Sequence, residues 1–252
     1  AGRRHNDMRK AVIIFLLGFL SLTAAAQLLP GVIATSRSAA ETSTLLNGLM
    51  AWWEMDESSD STCYDATANN IDGTIYGAAL NSGYYSFDGT NDHVEFGNAC
   101  RPTDEITINF WLRSEGAEAT RLILSNYNYS TNWYGYGVFL TSAGYIRMQI
   151  ADGSGTMVQV TTTSSLTGTT WHHVVITWDG STVSIYVDNG ATPTTGSYTS
   201  SIAYTSASNL HFGSNEEGTG SFYLGDLRKV GIWNRDITTD EISELYTEEY
   251  PW

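Results

Sequence analysis

The sequence predicts an all-β head, a two-sheet antiparallel sandwich, preceded by one long N-terminal hydrophobic α-helix. The helix is predicted because residues 11–36 contain no charged side chain. The sandwich is predicted because, from residue 49 on, short runs rich in Trp, Tyr, Val, Ile and Thr alternate with Gly, Asn, Asp and Ser. A chain of 252 residues can hold one such sandwich and an appendage. We therefore expect a helical region at residues 1–48 and a β-rich head at residues 49–252.

The apolar run has the length of a membrane-spanning segment. A helix over residues 11–34 would be about 36 Å long, enough to cross a hydrocarbon core of about 30 Å. The basic residues before it, Arg3, Arg4, Arg9 and Lys10, would stay on the cytoplasmic side. A cleavable signal peptide is the alternative, because a basic start, an apolar run and Ala24-Ala25-Ala26 follow one another in the order of such peptides.

Residues 27–47 continue with helical spacing. Leu28, Leu29, Val32 and Ile33 share one side, and Leu45 and Leu46 return to it. Pro30 would kink this helix, because its ring removes one backbone hydrogen bond. Asn47 and Gly48 predict its end, since both residues tolerate a left-handed conformation.

The head is predicted to contain about a dozen antiparallel strands. Dipeptides such as Asp88-Gly89 and Asp179-Gly180 predict the tight turns between them. In the segment 171–178, Trp171, His173 and Val175 should point to one side and Val174, Ile176 and Trp178 to the other. The predicted strands are 50–55, 84–87, 93–95, 106–113, 123–126, 137–141, 146–151, 157–162, 172–179, 183–187, 210–213 and 223–233.

The charge of the chain argues against nucleic acid as a partner. The net charge is −15, although the N-terminal ten residues are basic. The remaining chain is therefore strongly acidic and would repel phosphate backbones.

The chain has two cysteines, Cys63 and Cys100, and both fall in predicted loops. In an exported protein an even number of cysteines favours a disulfide, which would add about 3 to 4 kcal/mol of stability. Two free thiols are the alternative.

Several strings of the head together resemble the laminin-G-like, concanavalin-A-like jelly-roll family. They are GLMAWWEMDE, DATANNIDGTIYGA, YSFDGTNDHVEF, ITINFWLRS, WHHVVITWDGSTVSIYVDNG, LHFGSN and LGDLRKVGIWNRDITTDEISELY. The last string pairs a long strand with a short helix, and Thr238 and Glu241 have capping-box spacing at the start of that helix. The resemblance implies a jelly-roll lectin-like head.

The apolar helix in front of a β-rich head resembles the subunits of type IV pili and related archaeal filaments. This resemblance implies that the helices bundle into a filament core while the heads form the surface. The chain departs from the bacterial pattern, since no Glu lies five positions into the apolar run. The polymerisation residues would be Ile13, Phe15, Leu16, Phe19, Leu20, Leu28, Leu29 and Pro30.

A structural calcium ion is the metal that the residues favour. Calcium prefers oxygen ligands, and the loop 65–72 offers Asp65, Asn69, Asn70 and Asp72. In the resembling family such a loop meets an acid before the last long strand, which corresponds here to Asp226. The expected ligands are Asp65, Asn70 and Asp226, with Asp72 in reserve. Ordinary turn formation explains the same residues without a metal.

A glycan site is predicted at the loop around residues 126–134, where aromatic rings alternate with amides. Rings stack on sugar faces, and amides hydrogen-bond to hydroxyls. The candidate residues are Tyr127, Asn128, Tyr129, Asn132 and Trp133. A packed loop or a subunit contact is the alternative.

Catalysis is not expected. Glu54 and Asp56 have the alternation of a glycosidase pair, but the further acid carried by hydrolases of this fold is missing. His172 and His173 are adjacent in a strand, so they should face opposite sides and not share a metal.

Two functions remain open from the sequence. The favoured one is an extracellular, surface filament subunit that contacts copies of itself through its helices, passes through the membrane during assembly and binds polysaccharide with its head. The alternative is a membrane-anchored or secreted carbohydrate-binding adhesin that acts as a monomer.

Overall fold

The computed structural model describes residues 44–114, 116, 119–128 and 132–247. A compact unit spans residues 41–252. The predicted N-terminal helix and its polymerisation residues lie outside the described residues. Of the described helices, none combines the length and the apolar character that crossing a membrane requires.

The described chain forms sixteen β-strands, one 3₁₀ helix at Thr44–Leu46 and one α-helix, α1, at Thr239–Thr247. The strands are β1 (Leu49–Trp53), β2 (Thr62–Cys63), β3 (Gly73–Tyr76), β4 (Ala79–Asn81), β5 (Tyr84–Asp88), β6 (His93–Gly97), β7 (Ile106–Ser114), β8 (Arg121–Asn128), β9 (Tyr134–Leu140), β10 (Ile146–Asp152), β11 (Met157–Thr161), β12 (Gly168–Trp178), β13 (Thr182–Val187), β14 (Thr194–Ser197), β15 (Leu210–Phe212) and β16 (Leu224–Trp233). All twelve predicted strands are present, and β2, β3, β4 and β14 were not predicted.

The strands form two antiparallel sheets of eight strands each. Sheet A has the order β14-β13-β12-β7-β16-β5-β4, with β1 also paired to β16. Sheet B has the order β11-β10-β9-β8-β15-β6-β3-β2. This is the two-sheet jelly-roll sandwich that the sequence predicts.

The main core lies between the two sheets and follows strand alternation. From β12 of sheet A, Val174, Ile176 and Trp178 enter it, as predicted, and from β10 of sheet B, Met148 and Ile150 do so. Residues between these positions point away from the core. Each sheet therefore has an inner apolar face and an outer face whose side chains do not enter the main core.

A smaller apolar layer covers part of the outer face of sheet A. It consists of Leu45, Trp52, Val175, Trp233, Ile237, Ile242 and Leu245. The indole Nε1 of Trp233 donates a hydrogen bond to the carbonyl of Leu45 at 2.6 Å. This layer explains why β12 is apolar on both sides, since α1 and the 3₁₀ helix cover the side that faces away from the main core.

The predicted capping box is present at the start of α1. The Thr238 amide donates to the Glu241 carboxylate at 2.8 Å, and the Glu241 amide donates to the Thr238 hydroxyl at 3.3 Å. This reciprocal pair fixes the start of the helix.

The stop predicted at Asn47 and Gly48 follows a 3₁₀ turn, and the long helix that it would end lies outside the described residues. Gly48 has a φ of 73°, the left-handed conformation expected at the stop. The residues before it form a 3₁₀ turn, however, and only Leu45 is buried, whereas Leu46 is 52% exposed. The prediction that both leucines share an apolar face is therefore wrong, because the 3₁₀ turn directs them differently.

The predicted disulfide between Cys63 and Cys100 is wrong, because both cysteines are free thiols. Neither lies in an exposed loop. Cys63 belongs to β2, and both side chains are buried in the main core as small apolar residues. Burial raises the pKa of both thiols, which keeps them neutral and unreactive.

Candidate functional site

A row of polar side chains crosses the outer face of sheet B. Residues that pair in register share a face, and the pairing continues through all eight strands of this sheet. We call this set the polar row: Gln159, Gln149, Gly137, Ser125, His211, Glu95, Thr74 and Thr62. With strands about 4.8 Å apart, the row is about 34 Å long.

The neighbouring residues of the same strands establish which way the row faces. Met148 and Ile150 flank Gln149, Leu210 and Phe212 flank His211, and all four belong to the main core. The polar row therefore points away from the core.

Two aromatic rings meet over the centre of the row. Phe139 and Tyr127 lie on opposite sides of it, and their ring centroids are 6.4 Å apart at an angle of 80°. They can approach because Gly137 has no side chain, and a Cβ there would lie 3.0 Å from the ring of Phe139. This arrangement covers the middle of the row and leaves its two ends more open.

Some polar atoms on this face are buried without a hydrogen-bond partner among the described residues. They are Gln149 Oε1 and Arg147 Nε, and Arg147 lies beside the row on β10. An unsatisfied buried polar group costs about 1 to 3 kcal/mol. Water or a polar ligand would satisfy these two groups.

The end of the row near β3 and β6 combines exposed polar groups with a stacked ring pair. Tyr76 is 44% exposed and stacks on His93 at 4.6 Å, with an interplanar angle of 14°. Glu95 is half-buried, and Thr74, which pairs with it on β3, is exposed. Such a combination of a ring face, a carboxylate and a hydroxyl suits a sugar, which has apolar ring faces and hydroxyl edges.

His211 lies beside Glu95 in the row and is 2% exposed. Burial lowers the pKa of His211, and the nearby Glu95 carboxylate opposes that shift. The imidazole is therefore neutral at neutral pH, and it has one nitrogen that can donate and one that can accept.

The residues of the predicted glycan loop differ in their exposure to solvent. Trp133 is 39% exposed and Asn132 is exposed, so both are accessible as predicted. Tyr127 is 1% exposed and donates its hydroxyl to Met157 Sδ at 3.1 Å, so its ring does not offer a face to solvent. The prediction of Tyr127 as a stacking residue is wrong, because its ring is buried on β8. Asn128 is also buried in β8, and Tyr129 lies outside the described residues.

The predicted calcium ligand Asp65 organises its loop instead. Its Oδ1 accepts the backbone amides of Trp52 and Thr67 at 3.0 and 2.9 Å. Its Oδ2 accepts the Thr67 hydroxyl and the Ile71 amide at 2.8 and 2.9 Å. Four donor hydrogens thus point at this carboxylate, so its oxygens are not available to a cation without rearrangement of the loop.

The other expected calcium ligands also have protein partners. Asp226 accepts two hydrogen bonds from the guanidinium of Arg113, at 2.7 and 2.6 Å, and one from the Ser86 hydroxyl at 2.6 Å. Asn70 bonds the carbonyl of Ala68 with its amide nitrogen. In the described part of the chain, no three His, Cys, Asp or Glu side chains form a group that could hold a metal ion. The described residues do not fit a calcium ion in this arrangement.

The acids considered for catalysis do not share a strand face. β1 ends at Trp53, and Met55 between the two acids has a φ of 61°, which interrupts the alternation. Glu54 accepts a hydrogen bond from the Trp52 indole at 2.7 Å. His172 and His173 have different partners, as expected for adjacent residues of a strand. The His172 ring hydrogen-bonds to Asp188 and the His173 ring to Asn109.

No residue of the polar row was predicted from the sequence as part of a site. A local signal was present in His93-Val94-Glu95-Phe96, where polar and apolar residues alternate. The alignment of Glu95 with His211, more than a hundred residues later, depends on strand order and register, and no local pattern contains that information.

Fold and site together define a jelly-roll sandwich of the lectin type, with a polar, aromatic-lined outer sheet face. A laminin-G family model, described as the concanavalin A-like lectin/glucanases superfamily, matches residues 88–243. The chain belongs to this superfamily. A comparison with curated protein sequences found no match.

Similar folds occur among solved structures. The botulinum neurotoxin type G receptor binding domain has a TM-score of 0.61 and 15% identity, over 80% of this chain and 51% of that one. The binding domain of botulinum neurotoxin DC in complex with SialylT has a TM-score of 0.60 and 12% identity, over 81% and 51%. Trypanosoma rangeli sialidase in complex with sialic acid has a TM-score of 0.60 and 15% identity, over 81% and 33%. The chain spans about half the length of the toxin domains and a third of the sialidase, and at these identities the likeness concerns the fold.

Proposed function

We propose that the head is a carbohydrate-binding module that binds a neutral oligosaccharide on the outer face of sheet B, at the end of the polar row near β3 and β6. The observation that carries this proposal is the open end of the polar row, where the exposed Tyr76 lies beside Glu95 and Thr74. Phe139 and Tyr127 cover the middle of the row, so a sugar chain is held at this end and not along the whole row.

Tyr76 is proposed as the residue that stacks on a sugar ring. Its exposed face continues the stack with His93, and Glu95 and Thr74 in the adjacent row can bind the hydroxyls of the same sugar.

Two of the similar structures support a saccharide as the ligand class, since the neurotoxin DC binding domain is in complex with SialylT and the sialidase with sialic acid. A neutral glycan suits this chain better than a sialylated one. The net charge of −15 and Glu95 in the row would both repel a carboxylate.

Replacing the stacking ring tests this proposal. We expect Tyr76→Ala to weaken binding of a neutral oligosaccharide about tenfold, because one ring contact contributes about 1 kcal/mol or more. Tyr246→Ala is the matched control, since Tyr246 is 38% exposed but lies on α1 against sheet A. Binding is measured by isothermal titration with cello-, chito- and manno-oligosaccharides, with sialyllactose as a separate arm. Equal affinities of the two variants would refute the role of Tyr76.

Binding without hydrolysis is part of the proposal. The polar row holds a single carboxylate, Glu95, whereas retaining hydrolysis needs two carboxylates about 5 to 5.5 Å apart. We expect no release of reducing sugar from any oligosaccharide that binds. Release that disappears in Glu95→Gln would show that the row is catalytic.

An extracellular location fits this ligand class and is proposed with it. Assembly into filaments through residues 11–47 is the finer form of the proposal, and it rests on the apolar sequence, since residues up to 43 lie outside the described ones. Electron microscopy of native material tests it. Helical polymers would support a filament subunit, and dispersed single particles would favour a monomeric adhesin.

A further inference from the structure

A second concave site lies on sheet A, away from the polar row. It is an open cleft of about 380 Å³, formed where β5, β7, β12 and β16 come together. Its lining residues are Phe87, Arg113, Gly168, Thr169, Leu224, Gly225 and Asp226. The volume is at the lower end of the range for small-ligand sites, so it suits one small ligand and not a polymer.

The polar groups of the cleft are held in place before any ligand arrives. The Arg113 guanidinium lies 5.2 Å from the ring centre of Tyr84 and 4.9 Å from that of Trp171. It also makes two hydrogen bonds to Asp226, and Ser86 binds the other oxygen of that carboxylate. A site that is already ordered loses little entropy when it binds.

The chemistry of the lining identifies the class of ligand. Arg113 and Asp226 neutralise each other, so the pair attracts neither a cation nor an anion strongly, yet it presents a planar donor group next to an acceptor. Neighbouring hydroxyls on a ring can use both. Thr169 adds an exposed hydroxyl, and Leu224, 44% exposed, provides an apolar wall for the C–H face of a ring.

We propose that this cleft is a second carbohydrate subsite that takes a single neutral sugar unit, independent of the oligosaccharide site on sheet B. It shares the ligand class of the proposed function but none of its residues. A head with two separate sugar sites could join two glycan chains, which a single site cannot do.

The test follows the methyl resonances of Leu224 by NMR during titration with methyl glycosides of glucose, galactose, mannose and N-acetylglucosamine at millimolar concentration. We expect saturable shifts with at least one glycoside. Thr169→Trp should abolish them by filling the cleft. Thr170→Trp is the matched control, because Thr170 is equally exposed on β12 and does not line the cleft, and it should respond like the wild type.

Two further variants separate this proposal from the first one. Asp226→Asn keeps the shape of the side chain but removes its charge. The affinity for the glycoside, measured from the Leu224 methyl shifts, should fall about tenfold. Tyr76→Ala should leave that response unchanged, because Tyr76 lies on sheet B. If the wild-type Leu224 methyls do not shift with any of the four glycosides, or shift equally in Thr169→Trp, the cleft is not a sugar site, whatever happens at the polar row.

Discussion

Glu241 joins three parts of the chain at one carboxylate. It accepts hydrogen bonds from the Thr44 hydroxyl at 2.6 Å, from two nitrogens of Arg235 at 2.9 and 2.7 Å, and from the Thr238 amide. Burial raises its pKa, but these bonds outweigh burial, so the pKa of Glu241 falls to about 2. The same side chain thus caps α1 and ties the 3₁₀ helix to it.

Neutralising this carboxylate should destabilise the head. We expect Glu241→Gln to lower the free energy of unfolding by about 2 kcal/mol, because hydrogen bonds to a buried charge are lost. Asp240→Asn is the control, since it removes an equal charge from the exposed neighbouring position. Urea unfolding of both variants measures the difference, and a control that loses as much as Glu241→Gln would contradict this role.

The same group predicts a dependence of stability on pH. Since folding lowers the pKa from 4.5 to about 2, the contribution of Glu241 is fully present above pH 4.5 and is lost as the pH falls towards 2. The gap in unfolding free energy between the wild type and Glu241→Gln should therefore shrink over this interval. A gap that stays constant would mean that the ionised carboxylate is not the stabilising group.

The two buried thiols make a separate prediction at the residue scale. Since Cys63 and Cys100 are free and their pKa values are raised by burial, native protein should resist alkylation. After unfolding without reductant, both residues should be alkylated, and mass spectrometry counts the adducts. If the unfolded protein carries no adducts before reduction and two after it, the cysteines form a disulfide.

At the scale of elements, two adjacent leucines have opposite environments. Leu45 is fully buried under α1 and accepts the Trp233 indole hydrogen bond with its carbonyl, whereas Leu46 is exposed. We expect Leu45→Ala to cost about 2 to 5 kcal/mol because it leaves a cavity. Leu46→Ala should change stability by less than about 0.5 kcal/mol. Thermal unfolding compares them, and similar melting temperatures would mean that the 3₁₀ helix is not part of the folded head.

The long strands and α1 could be predicted because their signals are local. β7 and β12 contain enough alternating residues to define an inner face, and Thr238 and Glu241 are three residues apart in a recognisable cap. The missed strands, β2, β3, β4 and β14, contain two to four residues each. Strands this short show little alternation, although β15, with three residues, was predicted. Pairing with neighbours stabilises such strands.

At the scale of the whole molecule, the position of the candidate site could not be predicted from the sequence. Aromatic and amide residues suggested a sugar site at residues 126–134, yet Tyr127 is buried against Phe139 and Met157. The calcium prediction treated Asp65 and Asp226 as free ligands, and their hydrogen bonds to amides and to Arg113 became visible only in the folded chain. The polar row depends on the order of eight strands, which local residue patterns do not encode.

The most direct test of the central proposal is a backbone-amide NMR titration of the head with the neutral oligosaccharide that binds best. We expect the perturbed amides to lie at the open end of the polar row, strongest at Thr74, Tyr76 and Glu95. Shifts confined to the loop around Asn132 and Trp133, or no shifts with any neutral oligosaccharide, would contradict it.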